Sequence, residues 1–214
     1  TDGAALPLYL SMNVKNLKQK GLIDSTITIG NAFGGDYECI NIYTGLITAK
    51  EIAKADVVFV SMGPGIAGTG TKYGFTGIEQ GQILDAVKKL GGNPIAIPRI
   101  SFADKRDRHQ GISHHSITVF DKIVNVDVNI PITIYESQKL NKIKEQLKEN
   151  KLDEKHNIIF VENNKCKEDL EYFGLKVKSM GRNYDEDSEF FDSASSAAYY
   201  LMEVCHDWER KYCK

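Results

Sequence analysis

Residues 56–79 read DVVFVSMGPGIAGTGTKYGFTGIE, and this stretch decides the fold. The run Val57, Val58, Phe59, Val60 has the composition of a strand covered on both faces. A glycine-rich loop follows it. Beyond the loop, Ile83, Leu84, Val87 and Leu90 recur at helical spacing until Gly91 and Gly92 stop them. Strand, loop and helix in this order make half of a parallel β-α-β unit.

The alternation continues on both sides. Upstream, Leu6, Leu10, Val14 and Leu17 predict a helix closed by Gly21. Residues 26–29 read as a short strand, and Ile42, Leu46 and Ile52 mark a helix over 38–53. Downstream, residues 94–97 are expected as a third strand and ITVFDKIVNVDVNI at 117–130 as mostly extended chain. Leu140, Ile143 and Leu147 then predict a helix, 157–161 a strand, 166–173 a helix, LKVKS at 175–179 a strand and 190–208 a long helix with an alanine-rich face. The expected fold is α/β, a mostly parallel sheet with helices on both faces in a Rossmann-like three-layer arrangement, built as a single domain over 1–214.

Composition narrows the function classes. With 27 Lys and Arg against 29 Asp and Glu, the net charge of -2 gives no bias toward nucleic acid or an anionic membrane, so neither is an expected partner. No apolar run approaches the roughly 18 residues that cross a bilayer, and no signal segment opens the chain. Cys39, Cys166, Cys205 and Cys213 form no CxxC pattern. Cys205 and Cys213 stand eight residues apart on the last expected helix, roughly 12 Å along its axis and too far for a disulfide. Reduced thiols and a cytoplasmic protein are the expectation.

In parallel α/β folds ligands bind outside the carboxyl ends of the strands, and glycine concentrates in the loops expected there. In the first such loop, Gly63, Gly65, Gly68, Thr69, Gly70 and Thr71 could cradle a phosphate or carboxylate with backbone N–H groups. Gly63, Gly65 and Gly68 also fit GxGxxG. Pro64 and the late helix start speak against a dinucleotide site, and a tight packing turn is the plainer alternative. The second loop, PRISFADKRDRHQGISHH at 98–115, carries Arg99 and Ser101 as ligand contacts. It also holds His109, His114 and His115 as acid/base or metal-ligand candidates, against the alternative of a solvated charged loop. A third, at 30–38, brings Asp36, which with Asp2 and a histidine would make an oxygen and nitrogen site for Zn²⁺ or Mn²⁺. Both aspartates could equally be helix caps. The acidic residues Asp185, Glu186, Asp187 and Glu189 beside Arg182 are expected to offset the dipole of the last helix. His156 and His206 are expected to be structural or surface residues.

Six segments together, TDGAALPL at 1–8, AFGGDYE at 32–38, MGPGIAGTGT at 62–71, GFTGIE at 74–79, the 98–115 loop and MGRNYDED at 180–187, resemble a bacterial family known only as a domain of unknown function. The resemblance covers nearly the whole chain and names no reaction. It implies a further N-terminal region of the same precursor, with this chain as the C-terminal part. A start inside a motif also raises the reading of Thr1 as a processed N-terminal nucleophile with its own amine as base. The leading expectation is an enzyme acting on a small anionic metabolite, with residues 63–71 and Arg99 binding it and the histidines working on it. The alternatives are a ligand-sensing or interaction domain without chemistry, able to form a homo-oligomer, and a Thr1 hydrolase.

Overall fold

The computed structural model describes residues 5–63, 65–162 and 165–212. The chain mixes helices with short strands and divides into two units, residues 1–92 and 93–214. Among the described residues no helix is long and apolar enough to cross a membrane.

In the first unit, α1 (Met12–Gln19) starts where the Ser11 hydroxyl accepts the Val14 N–H at 3.3 Å, six residues later than Leu6 suggested. β1 (Ile27–Ile29) and β2 (Tyr37–Cys39) pair in parallel, with Ile27 opposite Tyr37. Because residues 37–39 are taken by that pairing, the helix expected from 38 begins only at α2 (Ile42–Ile47), in a capping box of Asn41 and Thr44. Gly45 permits its close approach to β1, since a Cβ there would stand 2.7 Å from the Ile29 side chain. α3 (Glu79–Lys89) follows a 3₁₀ turn at Thr76–Ile78 and buries Leu84 and Ala86. Residues 57–60, expected as the second strand, belong to no strand among the described residues and leave Phe59 71% exposed.

The second unit holds the larger core. β5 (Asn129–Thr133) and β6 (Asn157–Val161) pair in parallel across a connection formed by α5 (Ser137–Glu149) and α6 (Leu152–Lys155). Ile130, Ile132, Ile143, Leu147 and Leu152 are buried between them, each removing an aliphatic side chain from water at about 1.5–3 kcal/mol. On the other edge of β5, residues 94–97 run parallel to it, with Asn129 N–H donating to Pro94 O at 3.0 Å and Ala96 N–H to Asn129 O at 2.8 Å. The next two donors in that ladder would be the nitrogens of Pro131 and Pro98, which carry no hydrogen, so the pairing stops. Serines of α8 (Ser188–Tyr212) satisfy the carbonyls left over. Ser193 donates to Pro98 O at 2.6 Å and Ser196 to Pro131 O at 3.1 Å.

Two further expectations are corrected. Residues 114–122 form α4 (His114–Lys122), where the spacing of the buried Ser116, Val119 and Phe120 outweighs the strand preference of ITVF. Residues 175–179 form no strand, and Ser179 makes only an isolated bridge to Arg182 after α7 (Cys166–Tyr172). Two of the three strand pairs among the described residues are parallel. The third joins β3 (Ile100–Ser101) antiparallel to β4 (Gly111–Ile112).

Candidate anion site at the start of α4

The 98–115 segment leaves the edge of β5, makes β3, loops out over 102–110, returns as β4 and enters α4. Arg99 is anchored through its backbone to the first turn of that helix. Its N–H donates to Ser116 Oγ at 2.9 Å, and its carbonyl accepts the Ser113 N–H at 2.8 Å. β4 is clamped from α5 by Gln146, whose Oε1 accepts the Ile112 N–H at 2.8 Å. Its Nε2 donates to Gln110 O and Ile112 O at 3.1 and 3.2 Å. Gly111, at φ 73°, leaves room for this side chain, because a Cβ there would run into Gln146 Oε1.

Within this frame His109, His114 and His115 come together. Their ring centroids lie 4.9 Å apart for His109 and His114, 5.5 Å for His109 and His115, and 4.0 Å for His114 and His115. Adjacent residues reach one cluster because His114 and His115 open α4, where Ser113 ends the extended chain. The Arg99 guanidinium lies 2.9 Å from His109 Nδ1. A guanidinium only donates, so Nδ1 accepts and His109 is neutral with its proton on Nε2. Ser113 adds a second donor to the same nitrogen at 2.8 Å.

The electrostatics keep all three rings neutral. Burial pushes His109 down to about 4, and the positive charges of Arg99 and Arg106 add to the effect. Burial and the neighbouring His114 take His115 to about 4, and burial with Arg108 lowers His114. Arg99, Lys105, Arg106 and Arg108 face only Asp104 and Asp107 in this segment, which leaves an excess of positive charge. Asp104 is almost fully buried and accepts from Arg106 at 2.9 and 3.0 Å and from Arg99 at 3.1 Å. The Arg106 hydrogen bonds hold its carboxyl well below the usual carboxylate range. Gln110 also donates to Asp104 O, closing the loop on itself. His114 Nε2 is buried with no hydrogen-bond partner among the described residues, a state costing about 1–3 kcal/mol unless something meets it.

The remaining sequence candidates lie elsewhere. Ser101 is fully buried and donates to Asp187 at 2.8 and 2.9 Å, and Arg182 Nε donates to the same carboxylate at 2.9 Å. Asp187, expected to offset the dipole of the last helix, is a buried anchor between the site strand β3 and the start of α8. Its chemistry was visible only in the MGRNYDED segment, and its partner is 86 residues away. Asp36 belongs to the first unit, where Lys18 at 2.6 Å and the Thr26 N–H and hydroxyl at 2.8 Å lower it to about 2. Asp2 and Thr1 lie outside the described residues. In the glycine loop, Gly63 and Gly65 are exposed, and Gly68 makes an isolated bridge to Phe75. The Thr69 and Thr71 hydroxyls bond each other at 3.0 Å, and the Thr69 N–H and hydroxyl both donate to Gly74 O, with Gly70 at the tip at φ 81°. His156 is buried, with Nε2 2.8 Å from Phe120 O, a structural contact. Among the described residues no group of three or more His, Cys, Asp or Glu side chains has the geometry to hold a metal ion.

No curated protein and no solved structure matches the chain. The model of the family described as "Protein of unknown function (DUF3866)" matches residues 1–198, nearly the full length. The chain that carries this histidine and arginine cluster is therefore a member of the DUF3866 family.

Proposed function

We propose that the 98–115 loop and the first turn of α4 form a binding and acid–base site for a small anionic metabolite, and that the protein is an enzyme acting on it. The observation that carries the reading is the buried His114 Nε2, which has no hydrogen-bond partner among the described residues and lies in a cluster of neutral imidazoles close to Arg99, Arg106 and Arg108. A ligand oxygen is the group that such a nitrogen lacks.

Each residue has a role in this reading. Arg99 and Asp104 are positioning residues, because Arg99 fixes the tautomer of His109 and Asp104 holds Arg99 and Arg106 in place. Arg108 and the N–H groups that open α4 supply positive potential for the anion. His114 and His115, neutral at pH 7, can each take a proton from a bound substrate. A negative charge beside them raises their affinity for that proton, which favours its transfer.

Calorimetry with inorganic phosphate tests the site. The wild-type chain is expected to bind phosphate with proton uptake, and His114→Ala with His115→Ala is expected to weaken binding at least about tenfold. Equal binding by wild type and the double variant, or no binding by either, would overturn the proposal.

A further inference from the structure

The histidine cluster at the start of α4 is rich in donors and poor in acceptors, and that imbalance narrows the class of anion it suits. Arg99, Arg106 and Arg108 only donate. Both oxygens of Asp104, the buried carboxylate of the segment, are taken by Arg99 and Arg106. The lone pair of His109 is filled by Arg99 at 2.9 Å and by Ser113 at 2.8 Å, which leaves His109 only an N–H at Nε2.

His114 is different. Its Nε2 is buried without a hydrogen-bond partner among the described residues. The ring is neutral, because burial and then the charges of Arg108, Arg106 and Arg99 all oppose a second proton. Of these charges Arg108 acts most strongly, and it is exposed, with no carboxylate at ion-pair distance among the described residues. A lone pair sits in such a positive field at lower cost than an N–H does, which makes Nε2 the acceptor and gives the cluster an open place for a donor. A ligand that suits both needs brings oxygens for the guanidinium groups and a hydrogen for His114.

We propose that the α4 site selects a hydrogen-bearing tetrahedral oxyanion, phosphate or a phosphomonoester, over fully ionised sulfate, with His114 Nε2 taking the ligand O–H. The selection deepens the reading of this cluster as an anion site and rests on it. Phosphate keeps an O–H in both its ionic forms at neutral pH, and a phosphomonoester keeps one in its monoanion, which loses it near about pH 6. Sulfate has the same tetrahedral shape and no hydrogen. Binding it requires either a proton from solution on a nitrogen that the arginines keep neutral, or a lone pair set against an oxyanion, and each costs affinity.

The test is calorimetry on the full chain at neutral pH with inorganic phosphate and sulfate at equal ionic strength. Wild type is expected to bind phosphate at least about tenfold more tightly than sulfate. His114→Phe, which keeps a ring and removes both nitrogens, should lose phosphate affinity until the two anions bind alike, whereas His114→Gln, whose amide oxygen accepts, should keep a preference for phosphate. Methyl phosphate and methyl sulfate separate the two sources of the group: a retained preference assigns a monoester, and its loss assigns the free ion. Wild type that binds phosphate and sulfate alike, or sulfate more tightly, overturns the selection and leaves the anion site standing. A preference undiminished in His114→Phe overturns the role given to His114. Binding of neither anion overturns the anion-site reading and the selection with it.

Discussion

Acid should destabilise the second unit through His109 as pH falls below 6.5. His109 is 3% exposed and its affinity for a proton in the fold corresponds to about 4, against 6.5 for a free histidine. Between these values the unfolded chain takes up a proton that the folded chain refuses. The stabilisation is therefore complete above 6.5 and is lost as pH falls toward 4. At about pH 5 the difference is about 1.5 units at 1.36 kcal/mol each, or about 2 kcal/mol from this residue. His115 is only partly buried and adds less, about 1 kcal/mol after solvent screening. The measurement is urea unfolding at about pH 8 and about pH 5 for the wild type and for His109→Asn, which keeps an acceptor near the position of Nδ1 for Arg99. The wild type should lose about 2 kcal/mol more than the variant on acidification. Equal losses in the two proteins would refute the assignment of His109 as a buried neutral imidazole.

Three other outcomes follow from the same geometry. Gly111→Ala forces a Cβ into Gln146 at positive φ and should cost about 2–3 kcal/mol in chemical denaturation. Asp187→Asn leaves Arg182 without its buried counter-charge and should cost about 3 kcal/mol, with faster amide exchange at Ser101 and in the first turn of α8. Burial pushes the Cys166 thiol up to about 11, so at neutral pH a soluble thiol reagent should label the exposed Cys205 in the folded chain and reach Cys166 only after unfolding.

Elements with strong periodicity were legible in the sequence. The strand at 157–161 has the boundaries its β-branched run suggested, and α3, α5, α7 and α8 follow the spacing of their apolar residues. The failures have physical causes. ITVF has strand-forming residues but helical burial, and burial decides by more than the few tenths of a kcal/mol in propensity. Residues 94–97, expected as a strand, make only an isolated bridge to β5, because Pro98 and Pro131 end the ladder, which only the register reveals. For the site, the clustering of histidine and arginine in one loop was readable, and the structure brings His109, His114, His115 and Arg99 together. Gln146 was not readable. It is an unremarkable residue on the exposed pattern of α5 until the loop 34 residues upstream folds under it.

The most direct test of the account is a ¹⁵N NMR titration of the histidine side chains, with and without inorganic phosphate. His109 and His115 should stay neutral until the pH nears about 4, and phosphate should move the His114 and His115 signals while raising their proton affinity. Histidines that titrate near 6.5 and ignore phosphate would contradict it.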